Sequence, residues 1–290
     1  MAQSASTIAS DIAQYWATSL QRARKKTLGF DLCCNRMYED RILKGGDTVR
    51  INTIGDFTIN TSHSRSANMT LNAINATDQT LVMDREDDYA FYLDEVDSVQ
   101  AAAPVLDEAS DRLKYNLRDA MDQYLASLMQ AGTASANVLT ARTLGTGGGD
   151  ADAYELLVDL NKMLDINNVP EEDRFAIIPP WVKATLLKDP RRSSFGTTEN
   201  LRAYGAGYLG RDVSGLEIFV SNNCVTSGSA YYVQAGSRAA TTIAEQINKT
   251  AVKDNPLRMG VNVLGLHVFG GKVTRSAELA NCLVTESTDL

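Results

Sequence analysis

Histidine and cysteine are scarce in this chain of 290 residues, with two of the first and four of the second. His63 and His267 lie far apart, Cys33 and Cys34 are adjacent, and Cys224 and Cys282 stand alone. No CxxC occurs, so the ligand spacing of a zinc site is missing. Vicinal cysteines rarely bridge each other and no secretory signal precedes them, so all four read as reduced thiols. No apolar run approaches the ~20 residues that cross a membrane, which excludes a helical span. The sequons Asn68-Met69-Thr70, Asn75-Ala76-Thr77 and Asn248-Lys249-Thr250 therefore carry little meaning. No GxxxxGK[ST] is present, so there is no phosphate-cradling loop of that kind. Positive charge is also short. A net charge of −8 argues against a protein whose main work is gripping nucleic acid, since phosphate binding needs a basic face.

What is there reads as an ordinary globular chain, 44% hydrophobic and 22% charged, long enough for about two domains. Its organising stretch runs from Gly46 to Gln100. Gly46-Asp47-Thr48-Val49-Arg50-Ile51 and Tyr89-Ala90-Phe91-Tyr92-Leu93 alternate apolar with polar or small residues, as half-buried strands do. Between Asn60 and Thr80, 11 of 21 residues are Ser, Thr or Asn, and Ala67, Met69, Leu71 and Ala73 alternate. This predicts a long extended hairpin with too little apolar surface for a core of its own. Such a hairpin is marginal in water, so either it is a disordered loop or it lies on a neighbouring subunit.

Before it, Ile12, Tyr15, Trp16 and Leu20 fall at helical spacing. The basic cluster Arg22, Arg24, Lys25 and Lys26 follows, suited to a helix C-terminus or to a contact with DNA or a membrane. Leu28 to Leu43 reads as an irregular arm. After it, Asp84, Glu86, Asp88 and Glu95 mimic a calcium loop, but Tyr89 stands where such a loop needs glycine, so a solvated strand face is the better account.

The clearest helix carries Leu106, Ala109, Leu113, Leu117, Ala120, Tyr124 and Leu128 at steps of three or four. Pro104 starts it and Gly132 is expected to stop it. Its opposite face (Glu108, Asp111, Arg112, Lys114, Arg118, Asp122) is expected to meet solvent. A Ser/Thr/Ala/Gly-rich connection ends at Gly147-Gly148-Gly149, and Asp150 is expected to cap a second helix with Tyr154, Leu157, Leu160, Met163 and Leu164. Asn168-Val169-Pro170 breaks that helix, Phe175 to Ile178 reads as a buried strand, and a short helix spans Trp181 to Lys188. Residues 189 to 215 read as a long loop. Strands are expected at Glu217 to Ser221, Ala230 to Gln234, Ala240 to Val252 and Gly260 to Phe269, the last two forming a hairpin about Asn255-Pro256. The fold class is α+β.

Chemistry is hard to find. Gly205-Ala206-Gly207-Tyr208-Leu209-Gly210 matches the dinucleotide pattern, but no strand precedes it, so a loop is the expected reading. His63 and His267 lack the context of a general base. No catalytic, cofactor or metal residue is assigned.

In this order, these elements resemble the major capsid proteins of tailed bacteriophages, the Hong Kong 97 fold. The likeness is carried by Gly46-Asp47-Thr48-Val49-Arg50-Ile51 before the polar excursion, and by Leu93-Asp94-Glu95-Val96-Asp97-Ser98-Val99-Gln100 before the long helix. It continues with Asn168-Val169-Pro170 before Arg174-Phe175-Ala176-Ile177-Ile178-Pro179, and with Gly265-Leu266-His267-Val268-Phe269 before Lys272-Val273. It covers about residues 40 to 285. The resemblance implies an N-terminal arm (1–45) and a peripheral domain (46–135 and 237–262) with an extended loop at 52–86 and a spine helix at 102–131. It also implies a mixed α/β axial domain (136–236 and 263–290). Both strands flanking the excursion are expected in a narrow antiparallel sheet backed by the spine helix.

The implied function is structural: pentamers and hexamers closing into an icosahedral virion shell around double-stranded DNA, assembled in the host cytoplasm. Asn60, His63, Arg65, Asn68, Met69, Leu71 and Asn72 are the candidate intersubunit contacts in the loop. No lysine lies between Lys44 and Lys114, so a lysine crosslink from this loop is not expected. A separate scaffolding protein and a portal are expected partners, a decoration protein is a further one, and DNA is met without sequence-specific contact. An encapsulin-like compartment and a soluble enzyme using residues 205–210 are the alternatives. No N-terminal processing is expected, and intact mass on purified particles checks this.

Overall fold

A computed structural model of the chain describes residues 28–38, 48–54, 76–94, 104–145, 150–188, 208–211, 215–254 and 260–287. Its strands and helices run β1 (Thr48–Ile54), β2 (Ala76–Val82), β3 (Arg85–Asp94), α1 (Pro104–Gly132), β4 (Val138–Leu144), α2 (Ala153–Ile166), β5 (Arg174–Ile178) and α3 (Pro180–Lys188). They continue with β6 (Tyr208–Arg211), β7 (Glu217–Val220), β8 (Thr226–Ser227), β9 (Ala230–Ser237), β10 (Thr241–Asp254), β11 (Gly260–Val273) and β12 (Leu279–Glu286).

The largest sheet has the order β4-β12-β9-β5-β7-β6, with β8 added on β9. Both faces are covered, which is why Arg174 to Ile178 is buried at every position and reads as an unbroken apolar run. Ala176, Ile178, Val233, Ala235, Ala280, Cys282 and Val284 face a core shared with Leu156, Leu157, Leu160 and Leu164 of α2 and with Val182 and Leu186 of α3. Their neighbours Phe175, Ile177 and Leu279 face the other way, into a core with Met121, Leu125, Ala126 and Met129 of α1. Two buried amides lock α1 over this second face. Gln234 Nε2 donates to the Ala126 carbonyl (3.0 Å) and Asn281 Nδ2 to the Gln130 carbonyl (3.3 Å). Asn281 and Gln234 are direct cross-strand partners, so the pair grips the helix one turn apart.

The narrow sheet is β10-β11-β3. Here one expectation needs correcting. β1 is not part of it: β1 pairs with β2, from Thr48↔Val82 to Ile54↔Ala76, in a separate two-stranded sheet. The alternation of β1 persists, with Val49 and Ile51 buried while Thr48, Arg50 and Asn52 are exposed, but its apolar side packs on Leu81 and Ala244.

Other differences have identifiable causes. On α1 the fully buried stripe is Met121, Leu125, Ala126 and Met129, whereas Tyr124 and Leu128 are half-buried and no residue from Arg112 to Ala120 with a described side chain is buried. The helix carries apolar side chains over a wide arc, and periodicity alone does not choose within it. Asp122, assigned to the solvent face, is fully buried. The helix does end at Gly132, its last residue, where a Cβ would stand 2.8 Å from the Cβ of Val273, so this glycine also serves close approach to β11. The N-cap of α2 is Asp152, two residues beyond Asp150. β4 lies in the small-residue connection, where Thr, Val and Leu alternate. β6 lies in the segment expected to be a loop and pairs antiparallel with β7. β12 has no counterpart among the expected strands.

The stop after α2 is built from Asn168, whose φ of 55° is left-handed and which closes the helix as glycine often does. The Val169 N–H donates back to the Leu164 carbonyl (3.1 Å). Arg174, 2% exposed, then staples the turn. Its Nε donates to the Pro170 carbonyl at 2.9 Å and one Nη to Asn161 Oδ1 (2.6 Å) and Asp165 Oδ1 (2.7 Å). The other Nη donates to the Val169 carbonyl. A planar five-donor group is required, which lysine cannot supply. Arg174→Lys is expected to destabilise the subunit by about 2–3 kcal/mol, with Arg174→Ala at least as costly. Urea unfolding of the unassembled subunit measures both.

Candidate functional site

The excursion expected to carry intersubunit contacts is reached through its root, and the root is built against β11. One face of β11 meets α1: Phe269 stacks edge-on to Tyr124 with centroids 5.4 Å apart, and Arg85 of β3 lies over the Tyr124 ring at 5.4 Å. The other face meets the turn between β2 and β3. A Cβ on Gly270 would stand 2.7 Å from the Met83 Cα and closer still to the Val82 carbonyl oxygen. Glycine is needed because backbone packs there directly on backbone. Gln79 adds a hydrogen bond from Nε2 to the Thr274 carbonyl (3.0 Å). The root is thus fixed to the body through β2, with Leu81 fully buried.

Beside the root lies residues 28–38, a strap with one 3-10 turn at Asp31–Cys33. Phe30 is fully buried in the core of Met121, Leu125 and Phe219, which is worth roughly 1.5–3 kcal/mol. The buried Asp122 carboxylate receives the start of the strap: Oδ1 accepts from the Phe30 N–H (2.8 Å) and the Asp31 N–H (3.3 Å). Its Oδ2 accepts from Asn223 Nδ2 (2.9 Å). Burial raises the pKa of Asp122, and the Asn223 and strap donors oppose that shift. Burial also pushes up the thiols of Cys33, Cys34, Cys224 (to about 12) and Cys282 (to about 11). All four are free, and they are poor nucleophiles at neutral pH.

His267 is buried at 3% exposure, a core residue of β11 facing α1. Its Nε2 lies 2.9 Å from Glu245 Oε1, and Arg36 of the strap bridges Glu245 Oε2 (3.0 Å) and Asp31 Oδ1 (2.7 Å). The hydrogen bond from His267 and those from Arg36 hold the Glu245 carboxyl at about 2, against burial. His267 is thus joined through Glu245 to the ion pairs of Arg36.

The loop candidates Asn60, His63, Arg65, Asn68, Met69, Leu71 and Asn72 lie outside the described residues, as do Arg22, Arg24, Lys25 and Lys26. Of the acidic run, Glu86 and Asp88 are exposed and alternate with half-buried Asp87 and Tyr89 on β3, which is strand geometry. Tyr208 to Gly210 of the glycine pattern lie in β6, followed by β7, so no helix opens there to receive a pyrophosphate. Sequence reasoning missed Asp122 and the strap. The one available signal was a lone acid within an apolar stretch, Met121-Asp122 before Tyr124-Leu125.

A spine helix across a narrow sheet, a rooted excursion and a separate mixed sheet define a shell-subunit fold, and solved structures agree. A solved structure from Mycobacterium phage Che8 matches with a TM-score of 0.71 at 23% identity, over 92% of this chain and 94% of that one. The capsid of Cyanophage P-SCSP1u matches at 0.72 and 18% identity, over 93% and 92%. The capsid of a native GTA particle matches at 0.64 and 12%, over 92% and 94%. Comparison with curated proteins finds no match. The family model described as phage capsid protein matches residues 67–280, and the chain belongs to that family.

The depressed Glu245 carboxyl sets a pH dependence. Its folded pKa lies below the ordinary 4.5, so its stabilisation is complete above about 4.5 and is lost as the pH falls towards about 2. The raised Asp122 acts oppositely, since the folded state takes up that proton first. Glu245→Gln is expected to flatten the loss of stability between pH 5 and pH 2, read from urea midpoints across that range.

Proposed function

We propose that this chain is the major shell subunit of a phage particle, closing as pentamers and hexamers into an icosahedral shell around double-stranded DNA. The observation that carries this is the excursion between Ile54 and Ala76. It leaves a root fixed to the body, yet residues 60 to 75 have too little apolar surface to form a core, so a neighbouring subunit is their natural support. Membership of the capsid family favours a virion over an encapsulin-like compartment, and the role is structural rather than catalytic.

The division of labour follows the sheets. The arm is residues 1–45. The spine helix and the three-stranded sheet make the peripheral domain with the excursion, and the seven-stranded sheet with α2 and α3 makes the axial domain that packs around the five- and six-fold axes. Because β11 is the central strand of the narrow sheet as far as Val273, the return to the axial domain is better drawn after Val273 than at residue 262. Asn60, His63, Arg65, Asn68, Met69, Leu71 and Asn72 supply hydrogen bonds and small apolar contacts to the neighbour, without a lysine weld. Arg22, Arg24, Lys25 and Lys26 form the candidate contact of the arm with enclosed phosphate. Scaffolding protein and portal act as separate partners during assembly in the host cytoplasm.

Deleting residues 60–74 leaves the whole β1–β2 ladder in place. The variant is expected to give a folded subunit, with native circular dichroism and cooperative unfolding, that makes no shells in negative-stain micrographs. Shells formed by the deletion variant would overturn the reading. Particles of the parent chain that show the absorbance ratio of protein alone would instead favour the compartment.

A further inference from the structure

We propose that residues 28–38 are a clasp that holds the β1–β2 root at a fixed angle on the body, coupling the N-terminal segment mechanically to the hairpin. The proposal concerns the folded subunit alone and does not depend on shell formation.

Three attachments space the clasp along the molecule. At one end, Phe30 is seated in the α1 core and the Phe30 and Asp31 N–H groups are held by Asp122. In the middle, Asn35 bridges in parallel to Thr242. Its N–H donates to the Thr241 carbonyl (2.9 Å) and its carbonyl accepts from the Ile243 N–H (3.0 Å). Its side-chain Nδ2 donates to the carbonyls of Arg238 and Ala239, 3.3 Å each, and Oδ1 accepts from the Thr242 hydroxyl (2.9 Å). At the far end, Tyr38 packs against the small core of Val49, Ile51, Leu81 and Ala244.

That small core explains why the clasp matters. The root buries Val49, Ile51 and Leu81 there, against Ala244 of β10, little for a two-stranded sheet, which is marginal alone. Its β2 side is secured through Gln79 and the Gly270 contact, and Tyr38 closes a further side. Asn35 and Tyr38 are three residues apart, so at most ~10 Å of extended chain joins them. Slack at Asn35 therefore reaches Tyr38 directly, although Asn35 is hydrogen-bonded to the start of β10 and not to the hairpin. Arg36, between the two, adds the ion pairs to Glu245 and Asp31.

The test uses the full-length, unassembled subunit with two readouts. Labelling of Cys33, fully buried in the closed clasp and resolved from Cys34 by fragmentation, reports opening. Amide hydrogen exchange in residues 48–54 and 76–82 reports the root. Asn35→Ala is expected to raise both by about tenfold, with β5 and β9 unchanged. Tyr38→Ala is expected to raise exchange at the root while leaving Cys33 labelling near its parent rate. The double variant should exchange at the root no faster than the faster single variant, because both open one device. Faster Cys33 labelling with unchanged exchange at the root would overturn the coupling, as would no change in either readout for Asn35→Ala. Should Asn35→Ala fail to fold, Tyr38→Ala decides alone, since its side chain is only partly buried: unchanged exchange at the root overturns the proposal.

Discussion

The architecture depends on how closely other chain segments approach β11. On one face, Phe269 meets Tyr124 of the spine helix, and Gly265 leaves room for the ring of Tyr89. On the other, Gly270 lets the turn between β2 and β3 rest backbone on backbone. Helix, strand and hairpin root are therefore stacked with little side-chain thickness between the last two. Close-packed layers of this kind transmit displacement and do not absorb it. This stacking fixes the root from which residues 55–75 depart.

Polar groups fix the layers in register where apolar packing alone would allow sliding. Gln234 and Asn281 grip the spine helix by two carbonyls one turn apart. Arg174 closes the turn that brings α2 into β5. Asp122 joins the helix, the strap and the turn at Asn223. Each is buried and hydrogen-bonded, and losing one partner would strand the rest without water, which makes such contacts specific as well as stabilising. The Arg36–Glu245–His267 chain is more exposed at its outer end and correspondingly more sensitive to acid.

Much of this was legible in the residues. The long helix was expected to start at Pro104 and stop at Gly132 and runs Pro104–Gly132, because a long sequence rich in Leu, Ala and charged residues has one strong period. The wholly apolar Phe175 to Ile178 could hardly be anything but a buried strand. β12 and β4 were harder. Leu279 to Glu286 mixes Asn and Cys with aliphatics, and its two faces serve different cores, so no alternation shows. β6 is a short edge strand whose glycines suggest a loop. The solvent-face assignment of Asp122 failed because helical position was judged from the residues around it. The N–H groups that satisfy its carboxylate lie about ninety positions earlier in the chain.

By itself, the sequence determined the helix and strand periods, the polarity of the excursion, the absence of a lysine there and the lack of catalytic spacing. These are local properties, set by neighbours three or four residues away or by composition. Tertiary structure decided that β1 pairs with β2 and leaves the narrow sheet to β3, β10 and β11. It also decided that an irregular arm becomes a strap and that a buried carboxylate receives it. Those outcomes rest on contacts between residues distant in sequence, whose geometry exists only once the cores have formed.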